Sequence, residues 1–145
     1  MAKVLGLDVG DATIGVAVSD ALGWTAQGIM TIRRHNVHTD LSSLRKLIRE
    51  HNVSEVVVGL PMMMNGRPDG QTRKIIRFVN ILHEAFHLPI YTWDERFSTI
   101  EAHKALDVGK VNRKKRAEVI DKIAATIILQ GYLDNKNEKL AEMEG

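Results

Sequence analysis

The chain opens with two apolar runs rich in β-branched residues, Lys3–Val9 and Ile14–Ser19, separated by the turn-prone Gly10-Asp11-Ala12-Thr13. Such a pair reads as a β-hairpin, and Gly28–Arg33 extends it into a third strand. The hydrophobic period then changes. Leu41, Leu44, Leu47 and Ile48 draw one apolar stripe on a helix, with Thr39-Asp40 as the expected N-cap and His51-Asn52 near its end. Glu55–Gly59 reads as a short buried strand, closed by Leu60-Pro61, and Met62–Gly70 carries the turn formers of a loop. Ile75, Phe78, Val79, Leu82 and Phe86 mark a second helix, which Pro89 stops ahead of a fifth strand, Ile90–Trp93. Ser98 with Glu101 has the capping-box pattern of a short helix to Leu106. The last helix runs from Arg113 to Tyr132, with Ile120, Ile123, Ala124 and Ile127 on one side. Three strands joined by short turns, then two separated by helices, predict an α/β layer fold: an antiparallel meander joined to parallel crossovers.

One domain accounts for the 145 residues. Residues 1–134 are expected to form it, with 135–145 a polar, frayed tail. Apolar residues at 44% and charged residues at 26% exclude collagen-like, low-complexity and wholly disordered chains. No apolar run approaches the length of a membrane span, and Met1-Ala2-Lys3 does not begin a signal peptide, so a cytoplasmic location without membrane contact is expected. The absence of cysteine excludes disulfides, thiol catalysis and thiolate-bound metal, leaving Asp, Glu and His as candidate ligands for a hard cation. The net charge of +2 is unevenly spread: residues 61–120 hold 11 Lys and Arg against 7 Asp and Glu, while residues 1–60 hold 6 against 6.

Three acidic positions interrupt otherwise apolar segments. Asp8 lies at the end of the first strand beside Gly10, where α/β sheets bind ligands; alone, it reads equally well as a turn former. Asp94-Glu95 ends the fifth strand, and because neighbouring strand residues point to opposite faces, only one of the two can share Asp8's side. Asp121 borders the apolar stripe of the last helix, where the small Ala124 and Ala125 would let the backbone approach the sheet; singly, it reads as a surface ion-pair partner. Three carboxylates from two strand ends and a packed helix suit the holding of two divalent cations for in-line hydrolysis of a phosphodiester. Oxygen-only ligation selects Mg²⁺ or Mn²⁺. Basic residues fit the same picture. Lys110, Arg113, Lys114, Lys115 and Arg116 precede Asp121, and Arg67, Arg73, Lys74 and Arg77 flank the Met62-Met63-Met64 loop, in clusters suited to a phosphate backbone. Four consecutive cations at a helix start oppose its macrodipole, which a solvated face alone does not explain.

Two patterns point elsewhere. His83-Glu84-Ala85-Phe86-His87 fits the H-E-x-x-H zinc-peptidase motif, but Leu82 and Phe86 are needed by the core stripe. Asp8-Val9-Gly10 before a second strand also suits the phosphate loop of actin-like and sugar-kinase proteins, whose duplicated domain this chain is too short to supply.

Read together, Gly6-Leu7-Asp8-Val9-Gly10, Ile14-Gly15-Val16-Ala17-Val18-Ser19-Asp20, Val58-Gly59-Leu60-Pro61, Asp94-Glu95-Arg96-Phe97-Ser98-Thr99 and Ile120-Asp121-Lys122-Ile123-Ala124-Ala125 with Ile128-Leu129-Gln130 resemble the YqgF/RuvX family, collinearly over residues 3–134. The resemblance implies an RNase H-like fold, a five-stranded mixed sheet of three antiparallel then two parallel strands flanked by helices. It implies a nuclease maturing the 5′ end of pre-16S rRNA in ribosome biogenesis, acting on structured RNA or within pre-ribosomal particles. The alternatives are a Holliday junction resolvase acting on branched DNA as a homodimer, and a non-catalytic RNA-binding assembly factor. Asp8, Glu95 and Asp121 are the metal-binding acidic cluster by this resemblance, and Arg96 with the 110–116 cluster would position the nucleic acid. No organic cofactor is expected. The chain departs from the family at Thr13, where members commonly carry a basic residue.

Overall fold

The computed structural model describes residues 3–61, 69–95 and 113–144, with side chains of the last segment from Glu118. The chain order is β1 (Lys3–Val9), β2 (Thr13–Ser19), β3 (Ala26–Arg33), α1 (Val37–Glu50), β4 (Val53–Leu60), α2 (Gly70–Ala85), β5 (Ile90–Asp94) and α3 (Arg113–Glu144). The five strands form one sheet in the order β3-β2-β1-β4-β5. β1 pairs antiparallel with β2 and β2 with β3, whereas β1–β4 and β4–β5 are parallel. The expected short helix over 98–106 and the Met62–Met64 loop lie outside the described residues.

Strand alternation splits β1 between two layers. Leu5, Leu7 and Val9 join the larger core with Leu44 and Leu47 of α1 and Ile75, Phe78, Val79 and Leu82 of α2. Val4 joins a smaller cluster on the other face, with Ala125, Leu129 and Leu133 of α3. β1, flanked by β2 and β4 and covered on both sides, is apolar at nearly every position for that reason.

Three expectations are corrected. The N-cap of α1 is Asn36 rather than Thr39-Asp40: its side chain accepts from the Thr39 N–H at 2.9 Å, and Thr39 Oγ1 accepts from the Asn36 N–H at 3.3 Å. Asp40 instead stands one turn inside, 1% exposed and bonded to Arg34. The segment 135–144 is helical, continuing α3 for 32 residues in all. Its polar residues have tertiary partners: Lys136 Nζ lies 2.7 Å from Glu55, and the Asn137 side chain donates to the Gly23 carbonyl at 3.0 Å. The third correction concerns which side of α3 meets the sheet. Ala124, Ala125, Ile128, Leu129 and Leu133 are buried, while Ile120, Ile123 and Ile127 are half-buried.

Glycines in the strands determine that rotation. A Cβ on Gly6 would stand 2.6 Å from Leu129 Cβ, one on Gly28 2.9 Å from Thr126 Oγ1, and one on Gly15 would overlap the Asp121 carbonyl. The α3 backbone therefore rests almost directly on the sheet. Gly15→Ala is expected to force the helix away and to cost about 1–3 kcal/mol or more, as overpacking does. Gly70→Ala, where nothing lies within 4 Å of the added carbon, should be neutral or stabilising. Urea midpoints of the two variants check this; equal midpoints would refute the close seating of α3.

Candidate active site

Asp8 lies near the C-terminal end of β1, on the α3 side of the sheet with Val4 and Gly6. Its antiparallel partner in β2 is Gly15. On the other side, Leu7 pairs with Val58, so the next step of the ladder brings Asp8 beside Gly59. One carboxylate thus stands between two residues without side chains. Asp121 reaches this row from α3, its Cβ 3.1 Å from where a Gly15 Cβ would stand. Glu95 reaches it from the end of β5, its carboxyl carbon 3.3 Å from where a Gly59 Cβ would stand.

Asp94 and Glu95 stand on different sides of the sheet edge. Tyr91 stacks on Tyr132 of α3 with centroids 6.0 Å apart, and Trp93 packs against Gly131, so the odd residues of β5 face α3. Glu95 lies just past the strand, and its carboxyl carbon near the Gly59 position puts it on that same side. Asp94, paired with Leu60, belongs to the opposite parity.

Thr13, where the family commonly has a basic residue, donates from its hydroxyl to Asp121 Oδ2 at 2.6 Å. Sequence reasoning had identified the position but not this bond, which joins residues 108 apart. Around it, Thr31 Oγ1 donates to the Glu118 carbonyl at 2.8 Å and Arg33 lies 3.6 Å from the Glu118 carboxylate, fastening α3 to β3 one turn before Asp121. Farther along α3, burial and the adjacent Glu55 carboxylate push the Tyr132 phenol well above its ordinary pKa.

The donor set of the row is all oxygen, the ligand type a hard cation takes, while the space over Gly15 and Gly59 is filled by the Asp121 backbone and the Ile128 side chain. Among the described residues no three His, Asp or Glu side chains are gathered tightly enough to hold a metal ion, so the carboxylates share an edge and a face without forming a closed cage. Of the basic residues, Arg73 is exposed on α2. Arg113, Lys114, Lys115 and Arg116 form the start of α3, where the backbone alone is described. Arg67, Arg96 and Lys110 lie outside the described residues. The H-E-x-x-H pattern does not survive as a helical pair, because α2 ends at Ala85 and Phe86 is extended, carrying His87 off the helix. No helix among the described residues is long and apolar enough to cross a membrane.

Thr13→Val retains β-branching and deletes the hydroxyl. Its loss should cost about 1 kcal/mol of unfolding free energy, the scale of one partly exposed hydrogen bond, with Thr13→Ser restoring it. A urea midpoint unchanged in Thr13→Val would show that the bond does not hold Asp121.

Comparison with known proteins agrees with this architecture. A relative from Desulforamulus reducens named "Putative pre-16S rRNA nuclease" is 51% identical over 133 residues, covering 92% of this chain and 97% of the relative. One of the same name from Clostridium tetani is 49% identical over 137 residues, covering 94% and 99%. Among solved structures, Thermus thermophilus RuvC in complex with a Holliday junction substrate superposes with a TM-score of 0.57 at 15% identity, covering 94% of this chain and 96% of that one. The fowlpox virus resolvase complexed with Holliday junction DNA gives 0.55 at 12% identity, covering 92% and 97%. These two establish a shared fold. The family described as "RuvX: Holliday junction resolvase" matches residues 2–135, and with relatives near half-identical along almost their whole length, the chain belongs to the RuvX family.

Proposed function

We propose that this chain is a metal-dependent nuclease that hydrolyses phosphodiester bonds in 5′ maturation of pre-16S rRNA, with Asp8, Glu95 and Asp121 as its catalytic carboxylates. The observation that carries the reading is the row at the end of β1, a single carboxylate between Gly15 and Gly59 with Asp121 and Glu95 approaching those glycines from either side. The relatives' names supply the RNA substrate class. Asp8, Glu95 and Asp121 would hold Mg²⁺ or Mn²⁺. Bound there, such an ion supplies Lewis-acid activation of water and charge stabilisation at the leaving 3′ oxygen.

The chain's own part is positional. Gly15 and Gly59 let α3 and Glu95 come close to Asp8, with the Asp121 backbone and the Ile128 side chain seated where their side chains would stand, and Thr13 restrains rotation of the Asp121 carboxylate. The cations at the start of α3 stand about two turns before Asp121, roughly 12 Å along the axis for eight residues, within reach of neighbouring phosphates. Arg96, Lys110, Arg67 and Arg73 are proposed to share that role. A cytoplasmic location for this work on RNA is part of the proposal.

Asp8→Asn removes charge at nearly constant shape. It is expected to reduce cleavage of labelled precursor RNA to background while leaving RNA binding and the unfolding midpoint in place. A four-way DNA junction assayed alongside, each with Mn²⁺, Mg²⁺ or chelator, separates the substrate classes. Metal-dependent cutting of RNA that is lost in the variant supports the reading. Full activity of Asp8→Asn, or cutting in chelator, would overturn the carboxylate assignment, and paired cuts on the junction alone would replace the RNA substrate with branched DNA.

A further inference from the structure

On the sheet face opposite α3, where the end of β1 meets β3, α1 and α2, lies a pocket of about 400 Å³. Arg34, His35, Lys74 and Arg77 line it, with Asp11 and Asp40 as the acidic members. Arg34 is a fixed cation. Its Nε donates to Asp40 Oδ2 at 2.9 Å, its Nη1 donates to the Gly10 carbonyl at 2.7 Å, and its guanidinium lies 4.9 Å above the centre of the Phe78 ring. The side chain remains 20% exposed. A guanidinium has five N–H donors in a rigid plane, so one held this way is oriented before any anion arrives.

The cost of holding it is visible in the same structure. Asp40 is 1% exposed, and its Oδ1 is buried without a hydrogen-bond partner among the described residues. A half-satisfied buried ion pair is a poor stabilising device; it makes sense where the position of the cation itself matters. Lys74 is held more loosely, 3.4 Å from Asp11 with both side chains more than half exposed. Such a pair contributes less than about 1 kcal/mol and exchanges readily for another anion. Arg77 stands three residues on along α2, on the same side.

We propose that this pocket is a phosphate subsite for the substrate strand, holding a backbone phosphate of a nucleotide close to the one whose linkage is cut. The proposal rests on the nuclease reading above. Val9 and Gly10 line the pocket and directly follow Asp8, so a strand lying over this edge passes from the carboxylate row to the pocket by crossing one strand end. A phosphate fits better than a base. Base-binding sites offer an open aromatic face, whereas Phe78 is 4% exposed and covered by Arg34.

The test uses full-length Asp8→Asn protein, so that binding is read without cleavage, and a fluorescent single-stranded precursor-RNA oligonucleotide titrated at several KCl concentrations. Lys74→Gln and Arg77→Gln alter exposed side chains and should fold normally. Each is expected to weaken Kd several-fold at 50 mM salt and to lower the slope of log K against log salt by about 0.7, the value for one phosphate contact on a single strand. Arg77→Lys should restore the slope. Lys46→Gln, an exposed cation elsewhere on α1, should leave both quantities unchanged. In parallel, the Arg34 Nε–H resonance is followed by NMR against the oligonucleotide, adenosine monophosphate and inorganic phosphate, with the oligonucleotide expected to shift it at far lower concentration. Unaltered Kd and slope in both glutamine variants would overturn the subsite, as would an equal loss in Lys46→Gln. Mononucleotide or phosphate acting as strongly as the oligonucleotide would also overturn it, marking a free-anion pocket instead. Absence of metal-dependent cleavage by the unaltered protein would sink the nuclease reading separately, since the binding readout does not depend on it.

Discussion

How closely a helix can lie on a sheet decides this architecture. Gly6, Gly15, Gly28 and Gly59, one on each of four strands, remove the side chains that would hold α3 away, and the helix backbone settles into the space. Individual dispersion contacts are worth only about 0.1–0.2 kcal/mol, but a seat this long gathers many of them. The seat also positions a carboxylate. It places Asp121 over Gly15, next to the strand that carries Asp8, a meeting that a helix held off by valines could not achieve.

The two faces of the sheet are specialised, and β1 serves both. Leu5, Leu7 and Val9 bind the sheet to α1 and α2 through the larger core, while Asp8, between two of them in sequence, faces the other way. A slip of one residue in the β1 register would turn the carboxylate into the larger core and drive the leucines against α3. The stability of the core therefore enforces the orientation of Asp8. At the same edge, Arg34 binds the Gly10 carbonyl from the core side, so the turn just after Asp8 is fixed by a charged group instead of by backbone pairing alone.

What could be read in the sequence was whatever local pattern controls. The meander, the two amphipathic helices and the position of Asp8 follow from β-branched runs, apolar spacing and turn residues, and the family blocks identified Glu95 and Asp121. The misreadings share one cause, tertiary partners far along the chain. Asp40 looks like a cap until Arg34 claims it. The isoleucines of α3 outweigh Ala125 in any hydrophobic count, yet the strand glycines select the side bearing Asp121, Ala125 and Leu129. The last residues look too polar to persist as helix, but Glu55 and the Gly23 carbonyl hold Lys136 and Asn137. Asp94 and Glu95 could be told apart only once the Glu95 carboxyl was seen beside Gly59, on the α3 side of the sheet. The pocket around Arg34 is likewise assembled from β1, β3, α1 and α2, and no local motif announces it.

α3 has one further consequence, for how such a chain can vary over evolutionary time. The same uninterrupted helix carries Asp121 at one end of the sheet and, about 24 Å along its axis, Asn137 at the other, each with its own fixed partner. Inserting or deleting a single residue between them would turn one end by roughly 100° relative to the other, so that the carboxylate and the far anchor could not both be satisfied. Substitutions in this segment are open wherever the side chain faces water, whereas its length is fixed. The helix behaves as a gauge bar, and drift in this part of the chain should proceed by exchange of residues and not by gain or loss of them.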